Sequence, residues 1–187
     1  MELSSMKLIP APQQRVWDAL NDPDALKSCI PGCEDIESLS PTEFRVVLLA
    51  KVGPVTARFN GKMHITDSNP PNSYSLTFEG QGGMAGFAKG GADVVLRSVQ
   101  GGTELSYIAN AKVGGKLAQI GSRLVDIAAK KTADDFFATF VATVGLPDSE
   151  AEGTSEAPIA SIGGYRRFVP WAIPVVAVLL IAIFWFR

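Results

Sequence analysis

Few side chains in this sequence are suited to metal chemistry, and their spacing does not favour it. Cys29 and Cys33 stand on either side of Ile-Pro-Gly, in a chain whose single histidine is His64. A structural zinc site needs four such ligands close in space. We therefore interpret both cysteines as small reduced side chains packed near a turn, and we expect no metal and no cofactor belonging to the chain itself.

A glycine-rich stretch from Gly80 to Gly91 is the second candidate for chemistry, as a phosphate-binding loop. Such a loop requires a helix directly after the glycines, with its amide groups aimed at the anion. Here the pattern of a strand follows, and the setting of Lys89 matches no phosphate loop. We predict instead a flexible hairpin with Met84 and Phe87 as apolar tips, which either gates a pocket, touches a membrane or is simply a mobile turn.

Composition limits the classes of function that remain. With 187 residues, of which 47% are hydrophobic and 19% are charged, the chain can bury one substantial core. A net charge of −2 provides no basic surface for nucleic acid. The first residues, Met1 to Ser5, lack the basic segment and apolar run of a secretory signal, so we expect the globular part in the cytoplasm.

The turns between Cys33 and Val113 predict one antiparallel sheet of six strands, preceded by a strand from Glu2 to Ile9 and by two short helices. If Gly53 and Pro54 form a tight connection, the apolar faces of the two flanking strands coincide without adjustment. That register pairs Ala50 with Ala57, Leu48 with Phe59, and Val46 with Gly61.

Apolar residues at helical spacing from Gly115 to Phe140 predict a long amphipathic helix that covers the sheet. Its centre and the inward face of the sheet are both rich in glycine and alanine. Because protein interiors pack to crystal-like density, either the helix lies unusually close to the sheet or a cavity is left for an apolar guest. We predict the cavity, lined by Phe59, Gly61, Met63, Phe78, Leu96, Tyr107 and Ala109 from the sheet and by Gly121, Leu124 and Ala128 from the helix.

The predicted cavity contains no catalytic acid or base. His64 falls on the outer face of its strand, and Asp135 lies near the end of the helix, at the rim. Tyr107 is the one inward residue whose hydroxyl could bond a quinone carbonyl, although a core tyrosine bonded to backbone fits the pattern equally well. General acid–base catalysis needs a titratable group in the pocket, so we predict that the protein is not an enzyme.

The C-terminal part differs sharply from the rest. Residues 146–166 are acidic and small, which is typical of a flexible linker, and residues 167–187 are almost entirely apolar. The uncharged run from Phe168 to Phe186 would form a helix of about 28 Å, close to the roughly 30 Å of a bilayer core. Two arginines precede it and one follows, so we predict a single-pass anchor in the cytoplasmic membrane with residues 1–145 on the cytoplasmic side.

The predicted order of elements resembles the helix-grip fold of the START and polyketide-cyclase-like (SRPBCC) superfamily. This resemblance implies an α+β fold, in which a curved antiparallel sheet wraps around a long C-terminal helix. The segment from Asp22 to Glu34, with its Ile-Pro-Gly-Cys, and the stretch from Gly82 to Gly91, with its central Gly86-Phe87, resemble the CoxG family of carbon monoxide dehydrogenase subunits. That resemblance covers about residues 1–144 and implies a role beside a molybdenum-containing, flavin and iron–sulfur hydroxylase, in its maturation, its membrane attachment or the transfer of its electrons to the respiratory chain.

Three functions are compatible with these patterns. The first is a membrane-tethered module that recruits the dehydrogenase and binds a quinone or a lipid in residues 1–145. The second is a pure anchor or assembly adaptor with a filled core, which the resemblance supports equally well. The third and least favoured is a cyclase-like or dehydratase-like enzyme.

Overall fold

Seven antiparallel strands, with helices on one face, form residues 1–145, the part of the chain that the computed structural model describes. The sheet has the order β1-β7-β6-β5-β4-β3-β2. Its strands are β1 (Glu2–Ile9), β2 (Cys33–Ser40), β3 (Glu43–Val52), β4 (Val55–Asn69), β5 (Ser73–Gln81), β6 (Phe87–Val99) and β7 (Gly102–Gly114). Its helices are α1 (Gln13–Ala19), α2 (Pro23–Cys29), α3 (Lys116–Gln119) and α4 (Ser122–Val144). The predicted α+β sheet with a C-terminal helix is confirmed.

The register of the central hairpin is the predicted one. Gly53 adopts φ +55°, and β3 pairs with β4 so that Ala50 faces Ala57 and Leu48 faces Phe59. Buried and exposed residues alternate along β4, because successive side chains of a strand point to opposite faces. The inward face therefore follows directly from the period-two pattern.

The predicted helix from Gly115 to Phe140 is wrong in one respect, since it is broken at Gly121. This glycine has φ +94°, a left-handed conformation that ends α3 and turns the chain before α4 begins. Gly121 is exposed and Leu124 is 41% exposed, whereas both were expected to face the sheet. After the turn, the buried stripe of α4 starts at Val125 and continues to Val144.

The side chains of the core are large at one end and small at the other. In the C-terminal half of α4, the rings of Phe136 and Phe140 stack with centroids 5.4 Å apart, and Phe137 stacks on Tyr107 at 5.6 Å. In the N-terminal half, α4 turns Ala128 and other small residues toward the sheet. The aromatic side chains thus fill one end of the interior, and the glycines and alanines of the sheet lie toward the other.

The predicted linker, 146–166, and the predicted membrane segment, 167–187, lie outside the described residues. Within residues 1–145, no helix combines the length and the apolar character that crossing a membrane requires.

Candidate functional site

A row of small residues crosses the inner face of the sheet. Gly61 on β4 faces Gly80 on β5, and Gly80 faces Ala88 on β6. Both glycines are buried. A Cβ atom placed on Gly80 would have only one heavy atom of the described chain within 4 Å beyond its sequence neighbours, the Cα of Gly61 at 3.9 Å. The inner face of the sheet therefore leaves room beside Gly80 for at least one added carbon atom.

The structure brings some of the predicted lining residues to this space and not others. Met63 and Phe78 face each other in the neighbouring row, and Phe59 lies two residues before Gly61 on β4. Tyr107, by contrast, pairs with Val94, six residues beyond Ala88 along β6, which corresponds to about 20 Å. All the predicted sheet residues and Ala128 are nevertheless buried in one hydrophobic core, so only Gly121 and Leu124 lie outside it.

The glycine-rich loop is packed onto this end of the interior. Met84 is 81% exposed, as expected of a tip, within a one-turn 3-10 helix (Gly83–Ala85). The ring of Phe59 occupies the position where Gly82 would carry a side chain, since a Cβ atom there would lie 1.8 Å from the ring. The glycines thus allow close packing of the loop.

Phe87, predicted as a second apolar tip, is partly exposed but belongs to a strand rather than to the turn. It is the first residue of β6, and its ring lies over Gly114 of β7, where a Cβ atom would be 2.2 Å away. The side chain is only 38% exposed because the missing side chain of Gly114 leaves room for the ring.

A groove of about 460 Å³ opens between β1, which is an edge strand of the sheet, and α4. Its floor includes Tyr107 and Ala133, both of which are buried. Its rims are formed by Glu2, Leu3, Ser4 and Ser5 of β1 and by Asp126, Lys130 and Asp134 of α4. Beside it, Lys7 Nζ lies 3.0 Å from Asp134 Oδ1 and links the strand to the helix.

Tyr107 is held as a neutral hydroxyl in this groove. It pairs across the sheet with Ser5, and both side chains line the groove. Burial, reinforced by the negative charge of Asp134, raises the pKa of Tyr107 to about 12. At physiological pH the group is therefore a hydrogen-bond donor.

Sequence reasoning identified Tyr107 but missed its groove and its partner Ser5. The two walls come from segments more than 100 residues apart, which no local pattern connects. A weak signal was present, because β1 places the polar residues Ser5 and Lys7 on the side that otherwise faces inward.

The other candidate side chains are not assembled into a site. His64 lies on the exposed outer face, as predicted, and Asp135 forms an ion pair with Lys131. Burial raises the pKa of Cys33 to about 11, which keeps it a thiol. Within residues 1–145 no cluster of three acidic, histidine or cysteine side chains is placed to hold a metal.

A larger hollow of about 610 Å³ lies on the opposite, polar face of the sheet. Its charged lining residues are of both signs and include Lys62, Glu79 and Lys89. The hollow is also lined by Met63 and Phe78, which neighbour the glycine row, so it lies across the sheet from the same part of the interior.

Comparison with known proteins supports the family and the fold. The sequence model that describes the CoxG subunit of carbon monoxide dehydrogenase matches residues 7–145. A conserved protein from Geobacillus kaustophilus is similar in structure, with a TM-score of 0.72 and 29% identity over 77% of this chain and 95% of its own.

More distant structures share the fold alone. A protein from Chromobacterium violaceum has a TM-score of 0.60 at 15% identity, over 79% of this chain and 99% of its own. A protein from Thermus thermophilus has a TM-score of 0.59 at 18% identity, over 77% of this chain and 97% of its own. Comparison with curated proteins gave no significant match.

Proposed function

Because the chain belongs to the CoxG family of carbon monoxide dehydrogenase subunits, we propose that it is an accessory protein of a molybdenum-containing oxidoreductase of the carbon monoxide dehydrogenase type, and that it holds an apolar molecule between its sheet and α4. The accessory role rests on the family match over residues 7–145. The bound molecule, a quinone or a lipid, rests on one observation, the room beside the buried Gly80, where an added Cβ atom would have no heavy atom closer than 3.9 Å beyond its sequence neighbours.

The chemistry of the interior supports an apolar guest. Phe59, Met63 and Phe78 supply the walls near the glycine row, and each is at most 3% exposed. Each methylene group of a ligand that leaves water for such surroundings contributes roughly 0.8 kcal/mol. An isoprenoid or acyl chain is therefore the class of molecule that this interior favours.

The same interior argues against a catalytic role. Among the described residues, no carboxylate, histidine or lysine is buried in the core, whose polar side chains include Thr103, Thr132, Cys29 and the tyrosines. General acid–base catalysis requires a group that gains or loses a proton in the pocket. We accordingly place the chemistry on the partner oxidoreductase, with this chain binding and positioning.

Attachment to the cytoplasmic membrane completes the proposal. Residues 167–187 have the length and composition of a membrane-spanning helix, and residues 146–166 have the composition of a flexible tether. Such a tether would keep the domain, and any dehydrogenase bound to it, within a few tens of ångströms of the bilayer. An apolar ligand could then exchange with the membrane over a short distance.

The first test compares two leucine substitutions on the same strand. Gly80→Leu would fill the buried space, whereas Thr77→Leu adds the same side chain on the exposed face of β5. The full chain and both variants are expressed in a respiring bacterium, and bound molecules are identified by native mass spectrometry and organic extraction. We expect one quinone or lipid per chain in the wild type and in Thr77→Leu, and its loss in Gly80→Leu.

Recruitment of the dehydrogenase to membranes serves as the control, because filling the interior should not change the outer surface. Both variants are expected to retain it if they melt near the wild-type temperature. A wild-type chain that carries no ligand and takes up no added quinone would contradict the binding role, and would favour the pure adaptor.

A further inference from the structure

We infer that the groove between β1 and α4 is a head-group subsite, in which the hydroxyl pair of Tyr107 and Ser5 binds a carbonyl oxygen of an otherwise apolar ligand. This inference rests on the proposed function, and it adds where the polar end of the ligand lies and which chemistry recognises it. Quinones and esters both carry a neutral carbonyl oxygen that accepts a hydrogen bond, and this is the group that the subsite recognises.

The hydrogen-bond inventory of the hydroxyl pair leaves one donor free. Tyr107 and Ser5 each carry one O–H. A bond between the two side chains can use at most one of these protons. Among the described residues no other side-chain or backbone partner of either hydroxyl is found. At least one O–H is therefore available to an acceptor that enters the groove.

The charges on the rim favour a neutral acceptor over an anion. Glu2, Asp126 and Asp134 contribute three negative charges to the groove, and Lys130 contributes one positive charge. Lys7 is already paired with Asp134. An anionic phosphate or carboxylate would meet net repulsion here, whereas a neutral carbonyl would not.

A row of small residues runs along the inner face of the sheet from the groove to Gly80. Along the inner face of β7, Ala109 and Ala111 follow Tyr107, and they pair with Ala92 and Gly90 of β6. The next inward residue of β6, Ala88, pairs with Gly80. The band is about 20 Å long at the rise of an extended strand. A ligand with its carbonyl at Tyr107 would therefore direct its chain along the band toward Gly80.

Two probes with and without carbonyl groups separate this inference from the proposed function. The full chain in a mild detergent is titrated with decylubiquinone or with n-decylbenzene, and bound probe is counted by native mass spectrometry. Tyr107→Phe is expected to weaken binding of decylubiquinone by about tenfold, the value of one hydrogen bond. It should leave binding of n-decylbenzene unchanged, because the ring and its stacking on Phe137 remain.

Two further variants keep the test interpretable. Ser5→Ala, on the half-exposed edge strand, removes the other hydroxyl and is expected to weaken only decylubiquinone, whatever the effect of Tyr107→Phe on folding. Tyr74→Phe, a buried tyrosine that stands against Trp17, is the matched control and should change neither probe.

Equal affinities of wild type and Tyr107→Phe for decylubiquinone would overturn the head-group subsite, as would an equal loss of both probes. If the wild type binds neither probe, the proposed binding function itself is wrong, and the subsite falls with it. Binding of both probes with no selective effect of either hydroxyl would leave the binding function standing and refute the subsite alone.

Discussion

Tyr107 shows how a single residue acquires a property that its type alone does not have. Its ring occupies an inward position of β7, stacked on Phe137, while its hydroxyl meets Ser5 at the edge of the core. Burial and the nearby carboxylate of Asp134 both disfavour a tyrosinate, so the pKa rises from 10.0 to about 12. The hydroxyl is consequently a donor under all physiological conditions.

The raised pKa of Tyr107 predicts a specific loss of stability at high pH. Between pH 10 and pH 12, Tyr107 ionises in the unfolded chain but stays protonated in the folded one, so the free energy of unfolding falls as pH rises. By pH 11 the wild type should lose about 1 kcal/mol more than Tyr107→Phe. Urea unfolding of the full chain in detergent, followed by circular dichroism at pH 8 to 11, measures this difference.

Both proteins in that comparison carry Cys33→Ser. Burial raises the pKa of the Cys33 thiol from 9.0 to about 11, and its titration would overlap that of the tyrosine. The free energies of unfolding of the two proteins would contradict this prediction if they changed in parallel from pH 8 to pH 11. Tyr107 would then have the same pKa in the folded and the unfolded chain.

At the scale of elements, the crossing of two glycine segments closes one end of the sheet. Gly86 precedes β6 with φ +113°, and a Cβ atom on it would lie 2.0 Å from the carbonyl oxygen of Gly114. A Cβ atom on Gly115, just after β7, would lie 2.5 Å from the Cα of Gly86. Only residues without side chains allow the two backbones to come so near. The crossing explains why the stretch is rich in glycine without any role for an anion.

Two alanine substitutions in this loop should differ widely in cost. Gly83 has φ +57° and open space around it, so Gly83→Ala is expected to cost only the roughly 1–2 kcal/mol of a left-handed alanine. Gly86→Ala adds a collision with backbone, and we expect at least twice that loss. Chemical denaturation of both variants measures the difference. Equal losses would mean that the two segments do not cross as described.

At the scale of the whole molecule, the C-terminal end of α4 packs near the N-terminal part of the chain. The end of α4 is set against the start of the α1 region, where a Cβ atom on Gly145 would lie 3.0 Å from the ring of Pro10. The family match ends at the same residue. We therefore expect residues 1–145 to fold as a unit.

Truncation after Gly145 should separate membrane attachment from folding. We expect the full chain in the membrane fraction and residues 1–145 in the soluble fraction, with the far-ultraviolet circular dichroism of a folded α+β domain. Val178→Asp in the full chain is the matched control, since a charge at the centre of a spanning helix costs roughly 2.5–3.5 kcal/mol and should weaken attachment without shortening the chain. Recovery of the unaltered full chain in the soluble fraction would contradict the proposed anchor.

Much of this architecture could be predicted because it depends on short-range patterns. Alternation along β4 and the turn at Gly53 and Pro54 determine which residues of β3 and β4 face inward, since a shift by one residue would expose the whole apolar face. The seven strands, the predominance of small residues on the inward face and the family resemblance all follow from patterns within a few dozen residues. The linker of residues 146–166 and the anchor of residues 167–187 remain predictions from composition.

Only the tertiary structure decided where space is left and where it is filled. Gly80 and Gly90 look alike in the sequence, yet a Cβ atom on Gly80 would meet open space and one on Gly90 would lie 1.9 Å from the carbonyl oxygen of Asn110. The groove beside Tyr107 is likewise formed by β1 and α4, which are far apart along the chain. Volume and pKa depend on atoms that come together only in the folded state, whereas the direction of a side chain on a strand depends on its own few neighbours.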